Sequence, residues 1–146
     1  MISPVINSDL SLKNLSTAIS SIEKELDHLN KFRDVQAVIL FRLDGKVLES
    51  KYSQESSLSI LIVISWVKNI ISKTMVELQR GSKSVKYDKE IKNGESIPVY
   101  FYRAGNSSIL ATFLGPLANT GFMEIEMSRT SRRLGWIIDQ KKPLGD

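Results

Sequence analysis

Apolar residues recur along the chain with two different periods, and the switches between them mark the elements. Leu12, Leu15, Ile19, Ile22, Leu26 and Leu29 follow steps of three and four, which places them on one face of a helix from about Asp9 to Phe32. A coiled-coil seam has the same spacing but needs more heptads than this run supplies, so a helix packed on a core is predicted. From residue 35 the period drops to two. Val35, Ala37, Ile39, Phe41 and Leu43 take one side of a strand, and Val38 and Leu40 keep the other side apolar, so both faces are expected to be covered. Asp44-Gly45 suits positive φ at both central positions of a type I′ turn, which returns Lys46 to Ser50 as an antiparallel strand.

The helical period resumes from Ser56 to Arg80, with Ser53 or Ser56 placed to cap the first N–H groups and Gly81 placed to end the helix with positive φ. Leu58, Ile60, Leu61, Ile62, Val63, Ile64, Trp66 and Val67 nearly encircle its first half. A helix on one sheet buries a single stripe, so an apolar circumference requires a second cover, which another chain can supply. Residues 84 to 91 alternate Ser84, Lys86, Asp88 and Glu90 against Val85, Tyr87 and Ile91. Asn93-Gly94 then turns into "IPVYFYRAG", where Pro98 stands near the start of its strand, and "SSILATFLG" makes the fifth strand. All five are expected to be antiparallel because their connections are short. Asn119 or Thr120 caps a last helix whose inward face is Met123, Met127, Thr130, Leu134 and Ile137. The order is α-β-β-α-β-β-β-α. With no repeat, linker or low-complexity run, a single α+β domain over 9–139 is expected between flexible ends at 1–8 and 140–146.

Composition alters this picture little. A chain of 146 residues with 42% hydrophobic and 25% charged residues is ordinary for a soluble globular domain, and at this length it buries a sizeable core without staples. The absence of cysteine removes disulfides, thiolate nucleophiles and the common zinc sites. The first residues, "MISPVINSDLSLKN", lack a basic stretch followed by an apolar one, so no secretory signal is read there and a cytoplasmic location is expected. The sequons at Asn14 and Asn106 then carry no weight. The most apolar segment, 58–71, contains Lys68 and is too short to cross a bilayer. A net charge of +4 bears on solubility and long-range attraction, not on a nucleic-acid site.

Catalytic patterns are missing as well. "RGSKS" at 80–84 lacks the phosphate-loop spacing, and neither a dinucleotide-binding glycine pattern nor Gly-x-Ser-x-Gly occurs. His28, the sole histidine, has no neighbouring cysteine or second histidine with which to share a metal and is expected at the surface. Glu124 and Glu126 stand two apart on a helix, where side chains do not face each other. No catalytic residue, metal or cofactor is expected.

The order of elements, the hairpin "VQAVILFRLDGKVLES" and the junction "FLGPLANTGFMEIEMSRTSRRL" together resemble the roadblock/LC7 family of small dimeric domains over nearly the whole chain. The most specific piece is Asn119-Thr120-Gly121 opening the last helix directly after the fifth strand, behind Gly115 and Pro116. The resemblance implies an antiparallel sheet with the long middle helix on one face and the two terminal helices on the other. It also implies dimers that pair their third strands and middle helices, and a role as scaffold or regulator for small Ras-like GTPases or for adaptor complexes. The family supplies no catalytic residue. One departure is the bulk from Ile60 to Ile64, where similar proteins tend to carry small residues. Longin-like and profilin-like interaction modules are the alternatives: longins resemble a strand-first chain ending in two helices, and the long middle helix suits profilins less well. Nucleic-acid binding lacks both a recognition motif and the charge it needs.

These considerations single out two surfaces. Leu58, Leu61, Ile62, Ser65, Trp66 and Asn69 on the middle helix, with Val85, Lys86, Tyr87, Asp88, Lys89 and Glu90 on the third strand, are the expected interface of a homodimer or of a heterodimer with a related domain. Pairing the strand with its copy about a two-fold axis perpendicular to the sheet opposes residues whose numbers sum to an even value. A centre at Tyr87 sets Lys86 against Asp88, whereas a centre at Asp88 sets Lys86 against Glu90 and Asp88 against itself. The bland alternative is that these charges merely protect an edge strand from aggregation. The second surface, on the last helix, joins Phe122, Ile125, Arg129, Arg132, Arg133 and Trp136. It reads either as a wide core stripe with snorkelling arginines or as a face for an acidic protein or an anionic membrane, reached peripherally since no transmembrane segment is present.

Overall fold

The computed structural model describes residues 4–54, 56, 58–92 and 94–139, the side chains of 4–15 and 92 excepted. Helix α1 (Pro4–Asn30) leads into β1 (Val35–Arg42) and β2 (Val47–Tyr52), then α2 (Ile60–Gln79), then β3 (Val85–Lys92), β4 (Glu95–Arg103) and β5 (Ser108–Leu114), and finally α3 (Thr120–Asp139). The five strands form one antiparallel sheet, as the element pattern predicts, and their order in it is β2-β1-β5-β4-β3. Proline at a first helical position costs no hydrogen bond, and α1 runs from Pro4, so the helix extends over residues 4–8, ahead of the expected start near Asp9. Residues 1–3 and 140–146 lie outside the described residues.

The sheet is covered on both faces. On one, α2 packs Val63, Val67, Ile71 and Met75 onto Ala37, Ile39 and Phe41 of β1, Val99 and Phe101 of β4, and Ile109, Ala111 and Phe113 of β5. On the other, Leu26 and Leu29 of α1 and Met123, Met127 and Leu134 of α3 meet Val38, Leu40, Tyr100, Tyr102 and Leu110. Strand β1, buried on both sides as expected, is the shared wall of the two cores.

Several local expectations are corrected. Val35 joins the α1/α3 core and not the Ala37 side, because the register with β5 slips between Val35 and Ala37 and turns its side chain over. The turn at Asp44-Gly45 is not type I′. Gly45 alone has positive φ (+88), Gly45 N–H donates to Arg42 C=O (2.9 Å) and Arg42 N–H to Lys46 C=O (2.8 Å). That is a type I turn followed by a glycine bulge, and it shifts the β1–β2 register after Leu40. The Lys46 N–H, 3.0 Å from Asp44 Oδ1, chiefly holds the Asp44 carboxyl below its usual range. Asn93 lies outside the described residues, and Gly94 beside it has φ +78. Neither Ser53 nor Ser56 caps α2: Ser56 Oγ accepts the Leu58 N–H in a local turn, and the helix starts one turn later behind Ser59. Asn119 does cap α3, its Oδ1 accepting the Phe122 N–H at 3.0 Å, and Ile138 packs against that core where Ile137 was expected. Among the described side chains of α1, the apolar stripe reaches the core at Leu26 and Leu29, with Ile22 at its rim and Ile19 exposed; those of Leu12 and Leu15 lie outside the described ones.

Two junctions lock α3 onto the sheet. Asp34 sits in the left-handed region (φ +59), which a short polar side chain tolerates. Its carboxylate accepts the Leu117 N–H (2.6 Å) and Gln36 Nε2–H (2.8 Å), and its C=O accepts the Gly115 N–H (2.8 Å), which ties the entry of β1 to the exit of β5. Farther along, Gly135 lies against the β4–β5 turn, where a Cβ would stand 2.8 Å from Gly105 N. Since that obstacle is backbone, Gly135→Val is expected to destabilise by about 1–3 kcal/mol, the cost of overpacking, read as a lowered urea midpoint.

Candidate functional site

Strand β3 is an edge. Among the described residues it pairs only with β4, in regular register from Val85↔Phe101 to Glu90↔Ser96, with a slip between Glu90 and Lys92. One row of its backbone groups is therefore open to another strand. Val85 and Tyr87 turn toward α2 and pack on that core, whereas Lys86, opposite Tyr100, lies with exposed Asp88 and Glu90 on the α1/α3 side.

Helix α2 borders this edge. Trp66 links the two, its ring 5.9 Å from Tyr87 and 6.0 Å from Phe101 in edge-on or tilted contact, with Lys89 Nζ 5.7 Å above it. Tyr87 is fixed by its hydroxyl, 3.0 Å from Thr74 Oγ1, and carries Lys73 Nζ 5.5 Å over its ring. Beyond Trp66 the helix leaves Ile60, Leu61 and Ile62 at 46%, 79% and 60% exposure. Leu61, Ile62, Ser65, Trp66 and Asn69 line an open concavity of about 380 Å³, and Leu58, Ile62, Lys89 and Glu90 line a neighbouring one of about 220 Å³. The bulky run of Ile60 to Ile64 is thus divided: Val63 and Ile64 go into the core, Ile60, Leu61 and Ile62 stay outside, and farther along the helix Ser65, Asn69 and Ser72 are exposed beside Lys68, Lys73 and Val76.

Of the predicted interface residues, those of α2 adjoin Val85, Tyr87 and Lys89 on one side of the β3 edge, while Lys86, Asp88 and Glu90 lie on the other. Leu61, Ile62, Ser65 and Asn69 are available, while Trp66, Val85 and Tyr87 are partly consumed by the domain's own core. Sequence reasoning missed Lys73, whose place beside Tyr87 no local pattern announces.

On α3, Phe122, Arg129, Arg132 and Trp136 are exposed. Arg133 is not free, since its Nε donates to Glu25 Oε1 of α1 at 2.8 Å. His28 lies at the surface, as expected, and its Nε2 is 2.8 Å from Oε1 of buried Glu126. Between β3 and α3 runs an open groove of about 510 Å³ lined by Lys83, Ser84, Tyr102, Glu124, Ile125, Ser128, Arg129 and Arg132. Burial pushes the Tyr102 phenol above its usual range, so it lines this groove as a neutral hydroxyl. Among the described residues no group of three or more His, Asp or Glu is placed to hold a metal ion, and no helix is long and apolar enough to cross a membrane.

The same architecture occurs in solved structures. The gliding protein MglB from Thermus thermophilus superimposes with a TM-score of 0.69 at 14% identity, over 84% of this chain and 92% of that one. A roadblock/LC7 domain from Streptomyces avermitilis does so at 0.58 and 15%, over 75% and 91%. MglC from Myxococcus xanthus does so at 0.58 and 16%, over 78% and 96%. The fold is thus that of the roadblock/LC7 domains, as the hairpin and the last-helix junction suggested. No curated protein matches the chain in sequence. Residues 19–128, from the second half of α1 into α3, match the family described as AF0774-like protein, and the chain belongs to that family.

Proposed function

We propose that this chain is a non-enzymatic cytoplasmic scaffold that dimerises through α2 and β3 and binds a small Ras-like GTPase, or an adaptor complex containing one, to set its nucleotide cycle or location. The observation that carries this is the continuity of two unfinished features, an open sheet edge and an apolar helix face, joined through Trp66. Either alone has ordinary explanations. Side by side, a second copy satisfies both at once: strand pairs with strand across the axis, and Leu61 and Ile62 leave water.

The slip near Ile91 favours one register. A centre at Asp88 needs Val85 opposite Ile91, where β3 is irregular, whereas a centre at Tyr87 uses only the regular stretch from 85 to 89. It opposes Lys86 to Asp88 twice, each pair worth about 0.2–1 kcal/mol. Light scattering across a dilution series tests the reading. Twice the chain mass, persisting at micromolar concentration, supports it, and a monomer at every concentration removes its physical basis. With the dimer in hand, small GTPases loaded with GDP or GTP are screened for binding. Preference for one nucleotide state, or altered hydrolysis, is the expected result, and indifference to every GTPase tried would leave the dimer but sink the partner assignment.

A further inference from the structure

The outermost line of α3 is basic and apolar. At about 100° of rotation per residue, with Met127 facing the core, the side chains within about 40° of the opposite direction are Phe122, Ile125, Arg129, Arg132 and Trp136. None of them is acidic. Phe122, Ile125 and Trp136 are 44%, 55% and 51% exposed, although a helix resting on one core normally turns polar side chains outward. Arg132 has no carboxylate partner among the described residues, and Arg129 reaches only Glu126, at 3.5 Å, from an exposed position. Lys141 and Lys142 follow in sequence.

Shape and charge narrow what covers this line. A second copy laid along it sets arginine against arginine. A peptide helix seeks a groove that takes its apolar face, whereas Phe122, Ile125 and Trp136 stand outward as a crest, and the grooves that Ile125, Arg129, Arg132 and Trp136 rim also hold Glu124, Ser128, Ser131 and Asp139. A bilayer accepts a crest: aromatic and aliphatic side chains enter the headgroup–acyl boundary while arginines meet phosphates. We propose that the α3 crest rests on an anionic lipid bilayer, with Phe122, Ile125 and Trp136 inserted and Arg129 and Arg132 on lipid phosphates. Asp88 and Glu90 face the same side but at the level of the sheet, about one helix diameter below the crest, where salt largely screens them.

In the dimer proposed above, an axis perpendicular to the sheet places both α3 crests on one side and both α2 helices on the other. One membrane then meets two crests while the α2 side faces away from it. That bivalency rests on the dimer, whereas the crest itself does not.

The test is co-sedimentation of the full chain with vesicles of phosphatidylglycerol and phosphatidylcholine in equal parts, against phosphatidylcholine alone. Binding to the anionic vesicles only, weakening as salt rises, is expected. Arg129→Gln with Arg132→Gln should lower the partition at least about 30-fold, and Trp136→Ser should weaken it with an unchanged urea midpoint. Monomeric Leu61→Glu/Ile62→Glu protein should still bind, more weakly, which separates failure of the dimer from failure of the crest. Absence of binding to anionic vesicles, or binding that survives the α3 substitutions, overturns the proposal. Capture of soluble poly-glutamate with no binding to vesicles overturns it too, by assigning the crest to an acidic protein.

Discussion

Replacing Leu61 and Ile62 together by glutamate is expected to halve the solution mass at micromolar concentration while leaving the urea midpoint in place. In the separate chain both side chains already stand largely in water, and exchanging exposed residues for a good helix former changes stability by no more than about 0.5 kcal/mol. In the dimer the same exchange buries carboxylates, with only Lys89 near the one at 62, at a cost of several kcal/mol for an unpaired ion. By symmetry the cost falls on both chains. A loss of about 4 kcal/mol corresponds to roughly a thousandfold in dissociation constant, enough to turn a micromolar dimer into a monomer. Light scattering on the double variant, with urea melts beside it, decides the matter, and a variant that keeps twice the chain mass would remove α2 from the interface.

Trp66 and Tyr87 look like the natural targets from sequence, yet they make poorer probes. Trp66 sits among Tyr87, Phe101 and Phe113 at 5.9–6.3 Å between ring centres, and Tyr87 holds Thr74 through its hydroxyl. Trp66→Asp or Tyr87→Pro would disturb the core and the interface together, so lost association could not be told from lost folding.

This division shows what pattern reading reaches. The alternation through β1 and the apolar girdle of α2 are consequences of burial on both faces, and burial leaves a periodic trace in the sequence. So does the end of α2 at Gly81, where φ is +107. What left no trace depends on contacts between distant positions. Arg133 and Glu25 are 108 residues apart, and His28 and Glu126 are 98 apart. Val35 changed sides because β5 imposed a register slip, and Asp44-Gly45 chose a bulged turn over the tight one although either suits that residue pair. For the candidate site, the girdle announced that α2 carries more apolar surface than one sheet can cover. It did not say which residues the domain keeps for itself, because Trp66 and Leu61 differ only in the direction from which the β3 edge approaches.

Phe101→Ala, in the centre of that aromatic group, should lower stability by about 3–5 kcal/mol, the range for emptying a buried phenylalanine site. Phe101 is fully buried, lies opposite Val85 of β3 and Ala111 of β5, and meets Trp66 and Tyr87 at 6.0 and 5.6 Å. The loss therefore includes one edge-on and one tilted aromatic contact, such pairs being worth about 0.5–1.5 kcal/mol each beyond the area they bury. Against a typical total of about 5–15 kcal/mol, much of the stability goes, and a urea midpoint lowered by a large fraction with unchanged slope is the expected signature. A shift under about 1 kcal/mol would mean that the cavity collapses and that the aromatic group is not the keystone between sheet and α2. The variant also bears on the dimer from the opposite direction to the α2 double substitution. Phe101 touches no partner surface, yet it supports Trp66 and Tyr87 from beneath, so association should weaken along with stability. If the Phe101 variant melts early and still pairs as tightly as the parent while folded, the β3 edge and the exposed turn of α2 hold their geometry without the core beneath them, and the interface is confined to Leu61, Ile62 and the strand backbone.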